Sequence, residues 1–423
     1  MTKKSSRHRS TFFCFGNITV FVIFHNGNVV KRMLKIGIAC YPTLGGSGVV
    51  ATELGKLLAE RGHQIHFITE SVPFRLGKFH KNIFFHEVEV IDYHVFRYPP
   101  YDLALANKLA QVAKLEELDL LHVHYAVPHA ICAYLAKQMV GGHLKVVTTL
   151  HGTDITILGN DPSLRDLIRL AIHQSDAVTA VSKDLLLETI AVLGVEKPID
   201  LVYNFVDPDG YRESGCPVLR SHYAAPDEKL LIHMSNFRPV KRVLDVVDIF
   251  ARVHAEMPAK LMFVGEGPDL AKASARVHEL GLHDRVFFLG KQENVSDILR
   301  IADLMLLPSE KESFGLVALE AMAAGVPTIG SDAGGIPEVV ANGETGFLAP
   351  VGHTRQMAEY ALALLQSPAL YSRHSEAAAD RARRLFSADA IVQQYEDIYY
   401  RVTGASRRSE PACAADGCNY KIG

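Results

Sequence analysis

This 423-residue sequence lacks a strong excess of charge of either sign. Its 44 Lys and Arg side chains nearly balance 47 Asp and Glu side chains, and the formal net charge at pH 7 is −3. Nucleic acids and anionic membrane surfaces attract proteins through an excess of positive charge. The composition therefore argues against both kinds of partner.

The sequence also lacks the closely paired cysteines that are typical of zinc sites. Its six cysteines are scattered along the chain as Cys14, Cys40, Cys132, Cys216, Cys413 and Cys418. A disulfide or metal clip between Cys413 and Cys418 is a less favoured alternative. Scattered, unpaired cysteines are typical of proteins in a reducing compartment, so we expect a cytoplasmic protein.

A long uninterrupted apolar run is missing as well. Residues 12–24 are apolar and follow several basic residues, which imitates a signal peptide or short anchor. However, Gly16 and Asn17 interrupt the run, and it is too short to span a bilayer. We interpret residues 1–32 as an atypical extension, either disordered or a misassigned start before Met33, and no membrane contact is expected. A membrane anchor is the less favoured alternative.

The sequence does contain a regular alternation of short apolar runs and amphipathic helical patterns. Strands are predicted in the first half at Ile36–Cys40, Gln64–Thr69, Leu120–Tyr125, Val146–Leu150, Ala177–Val181 and Leu201–Tyr203. Helices are predicted between them, as at Val49–Arg61 and Asp102–Glu117. This alternation predicts a doubly wound parallel sheet with ligands at the carboxyl ends of its strands. The second half repeats the pattern, and the chain is too long for one ordinary core, so two domains are expected.

Two carboxylates, Glu312 and Glu320, frame a loop-to-helix transition after the apolar run Leu304–Leu307. Eight residues of helix make a little over two turns, so both side chains could lie near one helix face and accept hydrogen bonds from sugar hydroxyls. The backbone N–H groups of Phe314, Gly315 and Leu316 would point outward at the helix start. Taken alone, a surface helix with solvated acids explains this pattern equally well.

Other polar groups follow predicted strands. Gly45, Gly46 and Ser47 lead into a helix without the dinucleotide-binding G-x-G-x-x-G spacing, which disfavours a nicotinamide enzyme and leaves a simple tight turn as the alternative. His122 and His124 would share one face of a strand, where packing or substrate hydrogen bonds are favoured over zinc.

Further polar groups complete the set of candidates. His151 precedes Gly152 at another strand end, where a capping histidine is the alternative reading. Arg238 and Lys241 follow the strand Leu230–Met234 and are suited to neutralise a diphosphate, although a solvated basic turn is also possible. The neighbouring Arg242 leaves open which of the two side chains supplies the second cation.

The ordered run of these motifs resembles the retaining family 4 glycosyltransferases. The Glu312–Glu320 segment is similar to their Glu-x7-Glu signature, and the resemblance extends from Met33 to about Gly404 through phrases such as Tyr41-Pro-x-x-Gly-Gly-Ser-Gly. It implies a GT-B fold, in which two Rossmann-like domains face each other across a cleft. The expected parts are an acceptor domain at 33–206, a nucleotide-sugar domain at 207–385, a helix at 386–404 that crosses back to the first domain, and a disordered tail at 405–423.

The resemblance narrows to members that transfer N-acetylglucosamine from UDP-N-acetylglucosamine to the hydroxyl of L-malate with retention, the first step of bacillithiol biosynthesis. It implies metal-independent chemistry, no cofactor and a possible homo-oligomer. The implied catalytic residues are Arg238, Lys241, His151 and Glu312. The implied donor contacts are Gly45, Gly46, Gly290, Phe314, Gly315, Leu316 and Glu320. The implied acceptor contacts are Ser47, Tyr125, Thr149 and Asn204, with Arg238 or Arg75 facing the second carboxylate of malate.

Three rival functions remain open from the sequence. Another retaining transferase of the family, acting on a lipid or a different small acceptor, would share every donor-side motif. A UDP-sugar epimerase would need an acid/base pair, and the Glu-x7-Glu context argues against it. A non-catalytic sugar-nucleotide binding protein would more plausibly have lost Arg238, Lys241 or Glu312, and all three are present.

Overall fold

The computed structural model describes residues 29–30, 32–42, 45–77, 79–90, 94, 97–211, 217–405 and 408–409. Two units are distinguished. In the smaller one, strands β1 (Val29–Val30) and β15 (Arg408–Ser409) pair antiparallel. The larger unit, Leu34–Thr403, contains all the other elements. Most of the expected N-terminal extension and C-terminal tail lies outside the described residues.

A parallel sheet organises the first half of the larger unit. Its seven strands are β2 (Lys35–Ala39), β3 (Gln64–Thr69), β4 (Ile83–Glu87), β5 (Leu120–His124), β6 (Lys145–Leu150), β7 (Ala177–Ala180) and β8 (Asp200–Leu201). They pair in the order β4-β3-β2-β5-β6-β7-β8, and each neighbouring pair is parallel. Helices on both faces explain why the central strands are apolar on both sides.

The connections of this sheet are short helices and turns. The helices are α1 (Gly46–Glu60), α2 (Tyr101–Leu115), α3 (Ile131–Met139), α4 (Thr153–Thr156), α5 (Arg165–Gln174) and α6 (Lys183–Leu193). Local chemistry sets their ends. The Ser182 hydroxyl accepts from the Leu185 N–H and caps the start of α6, and Gly194 ends that helix with a left-handed φ of 61°.

A second parallel sheet organises the other half. Its six strands are β9 (Lys229–Met234), β10 (Ala259–Val264), β11 (Val286–Phe288), β12 (Leu304–Leu307), β13 (Thr328–Ser331) and β14 (Gly346–Ala349), paired in the order β11-β10-β9-β12-β13-β14. Its helices are α7 (Pro217–Ser221), α8 (Val243–Glu256), α9 (Leu270–Glu279), α10 (Val295–Leu299), α11 (Leu316–Ala323), α12 (Ile336–Val339), α13 (Thr354–Gln366) and α14 (Pro368–Leu385). No helix in the described part of the chain is long and apolar enough to cross a membrane.

The chain crosses between the two halves twice, and the crossings lie side by side. Val206 donates its N–H to the Phe386 carbonyl at 3.2 Å, and Ala388 returns a bond to the Val206 carbonyl at 3.2 Å. Helix α15 (Ala388–Thr403) then packs on the first half, where Glu396 accepts a hydrogen bond from Arg61 and contacts His63 Nε2 at 3.0 Å. The expected return of the last helix to the first domain is confirmed.

The doubly wound architecture agrees with the sequence prediction, with three differences in detail. The edge strand β4 was not predicted, because its apolar run at 83–85 is only three residues long and is half exposed. Glu312 lies in the loop before α11 and not on that helix, so the two glutamates do not share a helix face. Gly315, with φ of 94°, is the N-cap and delays the helix to Leu316. The exact domain limits stay a prediction.

Candidate active site

A cavity of about 690 Å³ lies between segments of the two halves of the chain. Residues of α1, the crossing segment at 205–211, the loop at 293–296 and the start of α11 line it. Ligands of doubly wound sheets bind at the carboxyl ends of the strands. The predicted residues that line this cavity are Arg75, Leu316 and Glu320, whereas the predicted catalytic residues Arg238, Lys241, His151 and Glu312 are not among its lining residues. The candidate active site is therefore the cavity together with the strand ends that carry those four residues.

Lys241 and Glu312 form an ion pair beside the cleft. Lys241 Nζ lies 2.6 Å from Glu312 Oε2, and both side chains are largely buried. The neighbouring Arg242 instead binds Asp245 of its own helix at 2.7 Å. The sequence left open which cation faces the cleft, and this geometry assigns Lys241 to Glu312.

Glu320 lies at the wall of the cavity and is buried. Arg75 Nη2 is 3.6 Å from Glu320 Oε1, and the hydroxyl of Tyr211 is hydrogen-bonded to the same carboxyl group. Burial raises the pKa of Glu320, and Arg75 and Tyr211 oppose that rise. Arg75 belongs to the first half of the chain and Glu320 to the second, so this pair joins the two sides of the cleft.

A direct contact between the two halves lies at Gly152 and Ser313. Gly152 has φ of 120°, and a Cβ added there would overlap the Ser313 hydroxyl. The Ser313 carbonyl accepts from the Ser182 hydroxyl at 2.6 Å. The glycine after His151 is therefore required by close approach as well as by its backbone conformation, and it brings His151 next to the Glu312 loop.

A second contact between the halves caps a helix. The carboxylate of Glu338, at the end of the second-half segment that follows β13, accepts from the backbone N–H groups of Lys183 and Asp184 at 2.8 and 2.9 Å. These N–H groups begin α6, where a carboxylate is favourable. Sequence reasoning did not identify Glu338, because the partner helix lies about 150 residues earlier in the chain.

Buried histidines support the first side of the cleft. His124 Nδ1 lies 2.8 Å from His151 Nε2, and His122 Nε2 lies 2.7 Å from Thr149 Oγ1. The Tyr399 hydroxyl of α15 lies 2.7 Å from His122 Nδ1. Burial lowers the pKa of His122 and of His151 to about 3, so both imidazoles are neutral at pH 7.

Thr149 belongs to this buried network and not to the surface of the cleft. Its side chain is fully buried, and its hydroxyl contacts Thr179 Oγ1 at 2.7 Å in addition to His122. The sequence places Thr149 at a strand end and predicts that the final helix returns to the first domain, but it does not predict that tyrosines of α15 cover this network. The Thr149 hydroxyl is hydrogen-bonded to neighbouring side chains and is not exposed to a ligand in the cleft.

Tyr125 and Ser47 lie together at the opening of the cleft. Tyr125 has a left-handed φ of 84°, which is unusual for an aromatic residue and projects its ring beside His151. Burial raises the pKa of the Tyr125 phenol, and its hydrogen bonds to Ser47 and Thr153 and the charge of Arg238 oppose that rise. Arg238 is thus close to Tyr125, whereas Arg75 is engaged by Glu320.

The remaining predicted residues flank this arrangement. Gly45 is the N-cap of α1, and a Cβ at Gly46 would lie 3.7 Å from Leu316 across the cleft. Asn204 is buried, and its Oδ1 has no hydrogen-bond partner in the described part of the chain.

Two predicted residues of the second half, Gly290 and Phe314, have structural contacts. Gly290 has φ of 63° and accepts from the Gly265 N–H at 2.8 Å, which brings the two glycine turns of the second sheet together. The Phe314 side chain packs between Tyr203 and Phe386.

One group of side chains in the described ranges has the spacing of a metal site, namely His66, His86 and Glu116. It does not include His122 or His124, the pair considered from the sequence.

Two parallel α/β halves that face each other across such a cleft define the GT-B class of glycosyltransferases. Solved structures of that class share the fold. Anabaena Alr3699/HepE in complex with UDP and glucose superposes with a TM-score of 0.73 at 21% identity, over 86% of this chain and 99% of that one. WaaG, a glycosyltransferase involved in lipopolysaccharide biosynthesis, gives a TM-score of 0.68 at 18% identity, over 86% and 99%.

Sequence comparison then gives the family. A model for glycosyl transferases group 1 matches residues 219–381, and one for Glycosyltransferase Family 4 matches residues 44–209. The N-acetyl-alpha-D-glucosaminyl L-malate synthase of Bacillus anthracis is 58% identical over 370 residues, which are 87% of this chain and 97% of that protein. The D-inositol 3-phosphate glycosyltransferase of Mycolicibacterium smegmatis is 32% identical over 236 residues, 53% and 52% of the two chains. The chain belongs to the family 4 glycosyltransferases.

Proposed function

We propose that this enzyme transfers N-acetylglucosamine from UDP-N-acetylglucosamine to the hydroxyl of L-malate, with retention at the anomeric carbon, as the first step of bacillithiol biosynthesis. The observation that carries the proposal is the 58% identity to the Bacillus anthracis synthase over nearly its whole length. The arrangement of side chains across the cleft supports it from the chemistry.

Charged groups of the second half suit the donor. Glu320 at the cavity wall has the oxygens to accept from a ribose diol, and the ribose would compete with Arg75 and Tyr211 for them. Lys241 can stabilise the leaving diphosphate while Glu312 accepts from hydroxyls of the sugar. The free N–H groups at the starts of α1 and α11 add donors for the anion.

Neutral polar groups of the first half suit a small hydroxy acid. The hydroxyls of Ser47 and Tyr125 lie together beside Arg238, and a guanidinium is the preferred partner of a carboxylate. The unpartnered Oδ1 of Asn204 is an acceptor for a ligand hydroxyl. Because Arg238 lies close enough to Tyr125 to influence its phenol, we assign Arg238 rather than Arg75 to the second carboxylate of malate.

The proton of the acceptor hydroxyl also needs a destination. His151 and His122 are poor bases because burial lowers the pKa of each to about 3. We therefore assign the proton to the leaving diphosphate on the same face of the sugar, as the family resemblance implies. In this scheme the C1–O bond to UDP breaks, the malate oxygen bonds to C1 on that face, and UDP leaves with the proton. His151 then positions the sugar and does not exchange a proton.

The test is to incubate the purified full chain with UDP-N-acetylglucosamine and L-malate, without added metal, and to follow UDP release and product mass. Glycerate, inositol phosphate and a sample without acceptor run in parallel. We expect UDP release that depends on malate and a product of glucosaminyl-malate mass. Turnover with another acceptor alone would contradict the malate assignment and leave the transferase class in place.

Inositol phosphate is included because the Mycolicibacterium relative carries that acceptor in its name and is 32% identical over about half of this chain. A phosphate group would need more positive charge than a carboxylate does.

The assignment of Arg238 to the second carboxylate of malate can be tested by substitution. An Arg238→Gln variant should raise the KM for malate about 10- to 100-fold, the range of a lost charge-assisted hydrogen bond. The KM for the donor should change much less.

A further inference from the structure

Two histidines lie side by side on the first sheet, away from the cleft. His66 belongs to β3 and His86 to β4, which pair in parallel at the edge of the sheet. His66 Nδ1 lies 3.0 Å from His86 Nε2, and the two rings are nearly parallel, with an interplanar angle of 20°. Phe84 stacks on the His66 ring with centroids 4.8 Å apart. The imidazoles are thus held with one nitrogen of each facing the other.

A carboxylate completes the cluster. Glu116 is the residue at which α2 ends, and α2 packs on β3. One nitrogen from each histidine and one carboxylate oxygen of Glu116 lie within 4.8 Å of one another. Two nitrogens that bind one zinc ion at about 2.0–2.1 Å are roughly 3.3 Å apart in a tetrahedral site. The existing separation of 3.0 Å is within a few tenths of an ångström of that value.

The charges around the cluster permit a cation. Lys35 is nearby, but its ammonium donates to the Glu116 carbonyl at 2.9 Å and lies 3.8 Å from the Glu117 carboxylate. Lys108 opposes the charged form of His86, and Glu116 favours it. Metal ligation requires an unprotonated nitrogen on each ring, and the hydrogen bond between the two rings already requires one of these two nitrogens to be unprotonated.

We propose that His66, His86 and Glu116 form a binding site for one divalent transition-metal ion of the zinc class. Two imidazoles and one carboxylate are a ligand set that zinc uses with water in the fourth position. On binding, the proton between the two rings moves to another ring nitrogen or to solvent, and the ion takes its place. The site lies near the start of β2, where Lys35 binds Glu116, whereas the cleft lies at the carboxyl ends of the strands.

The site would act as a clamp and not in catalysis. It would tie the edge strand β4 and its paired neighbour β3 to the end of α2. Metal that binds the folded state and not the unfolded chain raises stability with its concentration. The proposal does not depend on the acceptor or on the transferase activity.

The test uses metal-stripped, tag-free full chain and zinc as the probe, followed by isothermal titration. Cobalt absorption reports the nature of the ligands. We expect one ion per chain, loss of this binding in His86→Ala, and affinity lower by at least about tenfold in Glu116→Gln, since even indirect support of a metal ligand is worth that much. His283→Ala is the matched control, because His283 is an exposed histidine beside Asp284 at 3.3 Å.

Thermal unfolding with and without zinc keeps the result interpretable if His86→Ala is destabilised. The wild type should gain melting temperature with zinc, and Glu116→Gln should gain less at the same concentration. Absence of zinc binding would overturn the proposal. Binding that survives in both site variants, or that disappears in His283→Ala, would also overturn it and mean an adventitious ion only.

Discussion

The two sides of the cleft are built from different chemistry. The first half contributes neutral groups, because burial lowers the pKa of His122 and His151 to about 3 and that of His129 to about 4. The second half contributes the ion pair between Lys241 and Glu312. A rigid neutral scaffold suits the positioning of an acceptor, whereas fixed charge suits a diphosphate that gains charge as it leaves.

The two sides of the cleft also differ in how they respond to acid and to substitution. Buried neutral imidazoles are stable only while they stay unprotonated. His151 is hydrogen-bonded to His124, and His122 is hydrogen-bonded to Thr149 and to Tyr399 of α15. The ion pair between Lys241 and Glu312 on the opposite side is largely buried, and each charge is compensated by the other. Acid should therefore destabilise the first side, whereas deletion of a single charge should reduce activity through the second side.

The largest expected effect is that of acid on stability. The pKa values of His122, His151 and His129 are lowered in the folded state from the ordinary 6.5, so the unfolded chain binds more protons below that pH. Stability is full above about pH 6.5 and is lost as the pH falls toward the folded values. At about pH 5 each fully buried imidazole costs about 2 kcal/mol.

Urea unfolding midpoints at about pH 7 and pH 5 measure this loss. Asp154 acts in the opposite direction, because burial raises its pKa to about 6 and it takes up its proton first in the folded state. Burial also raises the pKa values of Asp184 and Glu320, but it lowers those of seven histidines in the described part of the chain, so the midpoint should still fall. Replacing the exposed His283 with Ala should not change the difference, and an unchanged midpoint at pH 5 would contradict the neutral scaffold.

Lys241→Ala should have the largest effect on catalysis. It removes the cation assigned to the leaving diphosphate, and loss of one such group reduces kcat by about 10²- to 10³-fold. Arg242→Ala is the matched control, since Arg242 binds Asp245 of its own helix. Steady-state kinetics distinguish them, and equal losses in both variants would contradict the assignment of Lys241.

Glu320→Gln should act mainly on donor binding. The amide keeps the shape of the side chain but loses the charge that accepts from the ribose diol, so the KM for the sugar nucleotide should rise about 10- to 100-fold. Glu293→Gln, at another wall of the same cavity, is the control. A donor KM that does not change in Glu320→Gln would mean that the ribose lies elsewhere.

Tyr399→Phe should give the smallest effect. It removes the hydroxyl that contacts His122 and leaves a buried nitrogen unpaired, which costs about 1–3 kcal/mol of stability. The KM for malate should rise while the donor KM stays constant, because the network supports only the first side. Tyr360→Phe removes a hydroxyl bonded to Gln356 in the second half and serves as the control. Equal changes in both KM values would contradict a one-sided role.

Much of the fold could be predicted because buried parallel strands are continuous apolar runs. Gln64–Thr69 and Leu304–Leu307 were placed with their observed limits. The strand β4 was missed because its residues, at the sheet edge, are half exposed and carry no clear period. Such a strand is stabilised by pairing with its neighbour, and its own sequence pattern does not identify it.

The sequence predicts candidate site residues but not the side chains that they contact. Arg238, Lys241 and the two glutamates were identified from strand ends and spacing, whereas their contacts join distant segments. Glu320 meets Arg75 and Tyr211, and His122 meets Tyr399 277 positions later. No local pattern marks these pairs, because two domains and a returning helix must assemble before the side chains meet.

The most direct test of the central claim is the anomeric configuration of the product made from UDP-N-acetylglucosamine and L-malate, read by proton NMR during turnover. The account predicts that an α-linked N-acetylglucosaminyl-malate appears first and accumulates in step with UDP. A β-linked product, or UDP release that does not require malate, would contradict it.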